Sequence, residues 1–220
     1  MTDSCPIARW RRKKQARPAE ILDAALILFV EKGFRATKVE DIARAAGVTK
    51  GTPYLYFHNK EEIFKATARA TIVANLQNLS RLASCFEGSS SALLQKMMET
   101  WWQEIGISPS AGLCKLMIAE AANFPELAQF YFEEVITPSH QMLTAVLQRG
   151  IERGEFRPVN LPHTVELLLS PLLTTMILGH SFGQLPACTI GSTVDPLAFL
   201  KDALDLLLNG LQPNGQDTLS

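Results

Sequence analysis

The sequence predicts an all-α protein, and three observations lead to that expectation. Proline, glycine and small polar residues stand where helices begin and end, while Val, Ile and Thr rarely alternate with polar residues. No Asn-Gly or Asp-Gly pair joins two strand-like runs, so the usual β-hairpin signal is missing. The 220 residues are 47% hydrophobic and 20% charged, which is typical of a globular protein with one large or two small domains.

The chain begins with a basic tail and a first helix. Residues 1–17 are predicted to be a disordered arm, because they carry six Lys and Arg residues and few apolar ones. A helix is predicted from Pro18 to about Lys32, since proline suits a first helical position and apolar residues recur there at helical spacing. Gly33 then supplies the left-handed stop.

Two short helices joined by a tight turn are predicted next. Thr37 and Glu40 form a capping-box pattern, in which the Thr37 hydroxyl accepts from the backbone amide of Glu40. The helix that they open ends at Gly47, which takes the positive φ of the turn. Thr49 caps a second short helix that runs to about Phe57.

Helices are predicted for most of the remaining chain. Asn59, with Glu62 three residues later, is a cap signature for a long helix that reaches about Ala83. Serine, aspartate and proline start signals predict further helices over 90–106, 109–123, 125–153, 162–182 and 196–208. Pro138 is expected to kink or split the helix over 125–153. Residues 183–194 are predicted to be a loop.

The charge is distributed unevenly along the chain. Residues 1–70 contain 14 Lys and Arg against 8 Asp and Glu, whereas residues 71–220 contain 7 against 14. A basic front and an acidic back indicate that only the front of the chain meets a polyanion such as DNA.

The two short helices match the helix-turn-helix pattern, although by spacing alone a helical hairpin without DNA stays an alternative. The segments 34–43, 46–52 and 54–57, followed by Lys60 and Glu61, resemble the amino-terminal domain of the TetR family of bacterial regulators. The resemblance covers about residues 19–66 without a gap. It implies three helices that bind DNA (18–66) and a larger helical domain (67–220) that binds a small ligand and dimerises.

The resemblance also implies which residues contact DNA. They lie at the start of the second helix, along the recognition helix and at the start of the fourth helix: Thr37, Lys38, Thr49, Lys50, Gly51, Thr52, Tyr54, Tyr56, His58 and Lys60. Pro53 stands where the family usually has Leu or Val, so we expect a shifted helix start rather than lost binding. Tyr54 and Phe57 can instead be core aromatics. Arg11 and Arg12 can reach the minor groove or can belong to a solvated tail.

The back of the chain resembles one TetR subgroup, the AcrR- and AefR-like regulators, over 119–128, 130–135 and 150–157. That resemblance implies a homodimer through a four-helix bundle built from about 162–182 and 196–210 of each chain. The last helix carries a stripe of leucines, for which burial in the monomer core is the alternative: Leu197, Leu200, Leu204, Leu207, Leu208 and Leu211.

A ligand cavity is expected between the helices of the back domain. Candidate lining residues are methionines, aromatics and one histidine, each of which can also be ordinary core: Met97, Met98, Trp101, Trp102, Met117, Phe130, Met142, Met176, His180 and Phe182. A closed apolar cavity of roughly 300 Å³ or more would separate a ligand-responsive regulator from a ligand-independent architectural or division-site protein.

Enzyme, metal and membrane functions find little support in the sequence. Gly179–Gly183 matches the G-x-S-x-G pattern of hydrolases, but no histidine follows Ser181 to complete the triad in that order. The four cysteines form no C-x-x-C pair, and we expect no cofactor, metal or catalytic residue. Without a leader or an apolar run of about 18 residues, a cytoplasmic location is predicted. The TetR resemblance implies a repressor that binds a palindromic operator.

Overall fold

The computed structural model describes the backbone of residues 6–182 and 195–212, and the side chains of residues 17–182 and 195–212. All regular elements in these ranges are helical, which confirms the all-α prediction. The α-helices are α1 (Pro6–Ala36), α2 (Val39–Ala45), α3 (Lys60–Ala68), α4 (Ala74–Cys85), α5 (Ser90–Trp101), α6 (Pro109–Glu120), α7 (Pro125–Tyr131), α8 (Thr137–Glu152), α9 (Leu161–Phe182) and α10 (Pro196–Leu211). The predicted loop over 183–194 lies outside the described residues.

The first helix begins earlier than the sequence predicts. The backbone of residues 6–17 is helical and continuous with α1, so the predicted disordered arm is wrong for these residues. Ala, Arg, Lys and Gln fill this stretch and are strong helix formers, while Pro18 removes only one amide donor. Gly33 has a φ of 79° and ends the regular helix, as predicted.

A nearly unbroken helix over residues 60–85 connects the front of the molecule to the back, and we call it the connecting helix. It consists of α3, the π-helical segment Arg69–Val73 and α4. Its start confirms the predicted cap, because the Asn59 side chain accepts from the Glu62 amide at 2.8 Å. The Glu62 carboxylate accepts in return from the His58 amide at 2.7 Å.

Most of the later helices begin at the predicted signals. The side chains of Ser89, Ser108 and Asp195 each accept a backbone amide at the start of α5, α6 and α10. The α5 helix continues into a π-helical segment, Trp102–Gly106. The kink expected at Pro138 takes the form of a π-helical segment, Phe132–Ile136, which widens the helix just before the proline.

Two hydrophobic cores hold the fold together. The front core is centred on the rings of Phe29, Phe34 and Phe64, whose centroids lie 5.4–5.5 Å apart, and it includes residues of α6 and α7. Phe124 stacks edge-on against Phe34 at 4.8 Å, so the front core extends across the predicted boundary at residue 66. The back core is formed by α4, α5, α8, α9 and α10.

The last two helices bury one face and expose another. In α10 the leucines at 200, 204, 208 and 211 are buried within the chain itself, which favours the monomer-core reading of these four stripe positions. Phe199 and Leu206, two turns apart, are exposed instead. The α9 helix is long and apolar enough to cross a membrane, with only 17% of its most apolar window buried in the chain. The sequence analysis expected no apolar run of about 18 residues, and by length and composition α9 is such a run.

Candidate DNA interface and ligand cavity

The predicted recognition helix is a short, tight turn in the structure. Gly47 turns the chain with a φ of 65°, and the Val48 amide donates to the Ala43 carbonyl at 2.9 Å. The only regular element that follows before α3, among the described residues, is a 3₁₀ helix over Pro53–Leu55. Pro53 is buried at its first position, where a missing amide donor costs nothing, so the helix start is shifted as predicted. The predicted cap at Thr49 and the predicted helix to about Phe57 are wrong, because the element ends at Leu55 and its N-cap is Thr52, without a side-chain capping bond.

Most of the predicted DNA contacts on this turn face solvent. Lys38, Thr49, Lys50, Gly51, Tyr54 and His58 are exposed. Thr52 is half-buried, with its hydroxyl 2.8 Å from that of Thr49. Tyr56 and Phe57 pack partly against the front core, and their ring centroids lie 6.4 Å apart. Tyr54 is 49% exposed, so the core reading of its ring is wrong.

Leu55 is a residue that the sequence reasoning missed. Its side chain is 78% exposed at the last residue of the 3₁₀ helix, between the exposed Tyr54 and the half-buried Tyr56. Exposed apolar side chains can contact the methyl group of thymine in a major groove. The signal available in the sequence was only its place two residues after Pro53, within the predicted recognition helix.

A shallow groove runs beside the turn, between the end of α1 and the starts of α2 and α3. Its lining has three cationic residues and one acidic residue among neutral ones, and comprises Arg35, Thr37, Lys38, Val39, Glu40, Tyr54, His58, Asn59 and Lys60. Such a groove suits a DNA backbone that is held by cations and neutral donors. Arg35 is exposed here and was not among the predicted contacts.

Thr37 faces inward. Its side chain is 1% exposed, and its hydroxyl donates to the carbonyls of Gly33 at 2.7 Å and Leu28 at 3.1 Å. The N-cap of α2 is Lys38, whose side chain makes no capping hydrogen bond. The predicted capping box is therefore wrong, because the hydroxyl closes the end of α1 instead. The predicted DNA contact of Thr37 stays a prediction.

Lys60 also makes its hydrogen bonds within the chain. Its ammonium donates to the carbonyls of Phe34 at 2.7 Å, Thr37 at 2.9 Å and Arg35 at 3.3 Å, and lies 4.5 Å from the centroid of the Phe34 ring. Burial lowers the pKa of Lys60, partly offset by the nearby charge of Glu61. All three ammonium donors have partners within the chain, and the predicted contact of Lys60 with the DNA backbone stays a prediction.

The predicted arm residues Arg11 and Arg12 lie on the helical extension of α1. Their side chains are outside the described set, so their contact with DNA stays a prediction.

An apolar cavity lies in the back core, as expected, but it is small. It is partly enclosed, with a volume of about 100 Å³, and is lined by residues of α4, α5, α8, α9 and α10. Of the predicted residues it contains Met97, Met98, Trp101 and Met142. The remaining lining was missed and is mainly leucine: Leu76, Leu79, Leu94, Ser139, Leu143, Leu168, Leu169, Pro171, Leu172, Leu200, Leu204 and Leu207.

Six predicted cavity residues are absent from this lining: Trp102, Met117, Phe130, Met176, His180 and Phe182. Met117, Phe130 and Met176 are buried in the front core, away from the cavity lining. His180 is near the end of α9, where burial and then the charge of Lys115 lower its pKa. Apolar side chains of this kind suit a filled core and a cavity lining equally well. Which of the predicted residues line the cavity depends on how the helices pack.

Hydrogen-bonding side chains are few among the cavity's lining residues, namely Ser139 and Trp101. Its one hydroxyl, that of Ser139, donates to the Val135 carbonyl at 2.6 Å within the same helix. An occupant would therefore present hydrocarbon to this lining, because a buried polar group without a partner is costly.

A two-point ion pair lies between the cavity and the front of the molecule. The Arg69 guanidinium donates to both carboxylate oxygens of Glu134, at 2.8 and 2.5 Å, and packs 4.9 Å above the Phe130 ring. Their hydrogen bonds raise the pKa of Arg69 and lower the pKa of Glu134. Both shifts favour the charged form of the side chain. Both residues belong to π-helical segments, so the pair ties the connecting helix to the helix that leads into α8.

The hydrolase pattern has no elbow. Residues 179–182 are the last helical residues of α9, which is not the strand-turn-helix that a nucleophile on this pattern needs.

Both the front and the back of the chain match known protein families. Residues 21–67 match the family described as "Bacterial regulatory proteins, tetR family", and residues 87–195 match "Tetracyclin repressor-like, C-terminal domain". The subgroup predicted from the back domain stays a prediction, because neither description names it.

Individual relatives agree with these matches. The HTH-type transcriptional repressor KstR2 of Rhodococcus jostii (strain RHA1) is 32% identical over 145 residues, which are 66% of this chain and 70% of that protein. A fatty acid metabolism regulator protein of Bacillus subtilis (strain 168) is 50% identical over 52 residues, 23% of this chain and 27% of that protein. The structure of FadR from Bacillus subtilis in complex with stearoyl-CoA shares the fold, with a TM-score of 0.73 and 22% identity over 88% of this chain and 99% of that one.

Proposed function

Because the chain belongs to the TetR family of bacterial regulatory proteins, we propose that it is a cytoplasmic, ligand-responsive repressor that binds a palindromic operator as a homodimer. The observation that carries the proposal is the exposed recognition turn, with Lys50, Tyr54 and Leu55, beside a groove whose lining includes Arg35, Lys38 and Lys60. Donors on the turn suit base edges in the major groove, and the groove suits the neighbouring phosphates.

The dimer is proposed to form through α9 and α10. Large apolar side chains are exposed on these two neighbouring helices: Leu167, Leu173, Phe182, Phe199 and Leu206. A second copy of the chain would cover them and would also account for an α9 helix that is apolar but little buried within one chain. Two-fold symmetry of the protein matches the two half-sites of a palindrome.

The effector is proposed to be hydrophobic or amphipathic, with its hydrocarbon part in the cavity of the back core. The lining of leucine, methionine and tryptophan supports this, as does the stearoyl-CoA held by the structurally similar FadR. A volume of about 100 Å³ is smaller than most ligand sites, so binding must displace lining side chains. The flexible side chains of Met97, Met98 and Met142 suit such repacking.

Release from DNA is proposed to pass through the connecting helix. Leu76 and Leu79 of α4 line the cavity, and Lys60 at the other end holds the corner between α1 and α2. A ligand that displaces α4 would therefore move the recognition turn and spread the two turns of the dimer out of register with successive major grooves.

Spin-label distances test this mechanism. Ala45→Cys on the exposed end of α2 places one label on each front domain, in a chain whose Cys5, Cys85 and Cys188 are replaced by serine. Stearoyl-CoA is the probe. We expect the probe to lower operator affinity and to lengthen the distance between labels. Loss of affinity at an unchanged distance would contradict the mechanism.

A ligand-independent DNA-binding protein on the same fold is the second candidate, and the small cavity is the observation that favours it. The two functions differ in their response to cavity filling. Met97→Trp should abolish the response to a panel of acyl-CoA probes if the cavity is the effector site. If no probe changes operator affinity or the melting temperature of the unaltered protein, the second candidate is supported.

A further inference from the structure

An acidic side chain lies in the proposed DNA-binding groove. Glu40 stands in the first turn of α2, and among the described residues that line the groove it alone carries a carboxylate. The neighbours that share the lining include Arg35, Lys38 and His58. A lone anion at such a position repels DNA phosphates unless another group neutralises it.

Lys50 provides that neutralising group. Its ammonium lies 3.1 Å from the Glu40 carboxylate, and the side chains of Lys50 and Glu40 are 74% and 38% exposed. A backbone hydrogen bond and the contact with Lys50 lower the pKa of Glu40, so the pair is ionic at neutral pH. Lys50 belongs to the turn that leads into the 3₁₀ helix, so the pair spans the two halves of the helix-turn-helix.

The pair changes what Lys50 can do on DNA. A free surface lysine binds the phosphates of any sequence and releases a counterion each time. A lysine that is already paired with a carboxylate gains little binding free energy from a phosphate, because the carboxylate repels the phosphate. The same lysine can still donate to guanine O6 and N7, and a carboxylate can accept from cytosine N4.

We infer that Glu40 is a specificity-determining residue, which holds Lys50 away from the phosphates and so suppresses binding to non-operator DNA. The inference rests on the proposed DNA-binding function. It assigns Glu40 a positioning role that acts through Lys50, in contrast to the groove cations, which raise affinity for every sequence.

The test measures binding of the full-length chain to a duplex of scrambled sequence across a range of salt concentrations. Glu40→Gln should free Lys50 for one further phosphate contact and steepen the salt slope by about 0.9. At about 0.1 M salt, one such contact corresponds to roughly tenfold tighter binding of the scrambled duplex. Affinity for the operator selected by the unaltered protein should change less, so the ratio of the two affinities should fall.

Two further variants make the test specific. Lys50→Gln in the Glu40→Gln background should return the salt slope to its original value, because the freed lysine is then gone. Glu61→Gln is the matched control: it removes one acidic charge from the second residue of α3, outside the groove lining. Melting temperatures confirm that all variants are folded.

Equal effects of Glu40→Gln and Glu61→Gln on the scrambled duplex would overturn the inference, since only net charge would then matter. A salt slope that Lys50→Gln fails to restore would also overturn it. The salt slope on scrambled DNA needs no operator, so it tests the role of Glu40 even if selection returns no preferred sequence. The absence of a preferred sequence would count against the proposed function alone.

Discussion

Lys60 offers a sharp prediction, because the sequence and the structure give it different roles. As a phosphate contact it would add to DNA affinity without stabilising the fold. In the structure its ammonium donates to the carbonyls of Phe34 and Arg35 in the last turn of α1 and to that of Thr37 just after it. Lys60→Met keeps the aliphatic stem and removes these hydrogen bonds.

The expected loss of stability follows from the geometry. The bonds to Phe34 and Thr37 are short and partly buried, and each contributes about 1 kcal/mol net. The longer, exposed bond to Arg35 contributes little. The contact with the Phe34 ring adds about 0.5 kcal/mol, which the cost of burying the ammonium offsets. Lys60→Met should therefore cost about 2 kcal/mol, or roughly 4–8 °C in Tm for a chain of this length.

Urea and thermal unfolding at one fixed protein concentration measure that loss. Lys65→Met is the control on the same helix, because Lys65 lies 5.8 Å from the Phe130 ring and should cost under about 0.5 kcal/mol. The salt slope of DNA binding should stay unchanged in Lys60→Met. Unchanged stability together with a slope reduced by about one would refute the reasoning and restore Lys60 to the DNA contacts.

Three other predictions concern the back of the molecule. Glu134→Gln breaks the ion pair with Arg69 and should cost under about 1 kcal/mol of stability. The same change should weaken the effect of an effector on operator affinity. An unchanged effect would show that the pair does not couple the cavity to the recognition turn. Burial and a neighbouring lysine hold the pKa of His180 below its ordinary 6.5, so the unfolded chain binds more protons and stability should fall as pH drops from 6.5 through the lowered pKa. His180→Gln should flatten this part of a Tm-against-pH curve, and an equally steep curve would contradict the assignment. Leu206→Glu, at a side chain 73% exposed on α10, should give monomers in sedimentation experiments, whereas Ile118→Glu, 51% exposed on α6, should stay dimeric; a dimeric Leu206→Glu would argue against the proposed interface.

Local signals in the sequence predicted most helix starts, because a capping side chain acts within three residues of its own position. The caps at Asn59, Ser89, Ser108 and Asp195 all form. Thr37 failed as a cap for a reason outside its own segment. Its hydroxyl could bond either to a backbone amide of α2 or to carbonyls of α1. In the folded chain it donates to the α1 carbonyls of Leu28 and Gly33.

The site was predicted where exposure follows from the local turn, and missed where it depends on tertiary packing. Lys50 and Tyr54 are exposed because the turn around Gly47 presents them. Met97 and Met117 have the same chemistry, yet one lines the cavity and the other fills the front core. The division between them depends on how helices distant in sequence pack, which periodicity within one helix does not record.

The central claim is that two copies of this chain read one two-fold DNA site through their recognition turns. Selection of bound fragments from a genomic library by the full-length protein, followed by footprinting at stated salt, tests it most directly. We predict an approximately palindromic sequence, two chains per site, and loss of the selected sequence in Lys50→Ala. Fragments without a shared sequence, or a shared sequence without two-fold symmetry, would contradict the claim.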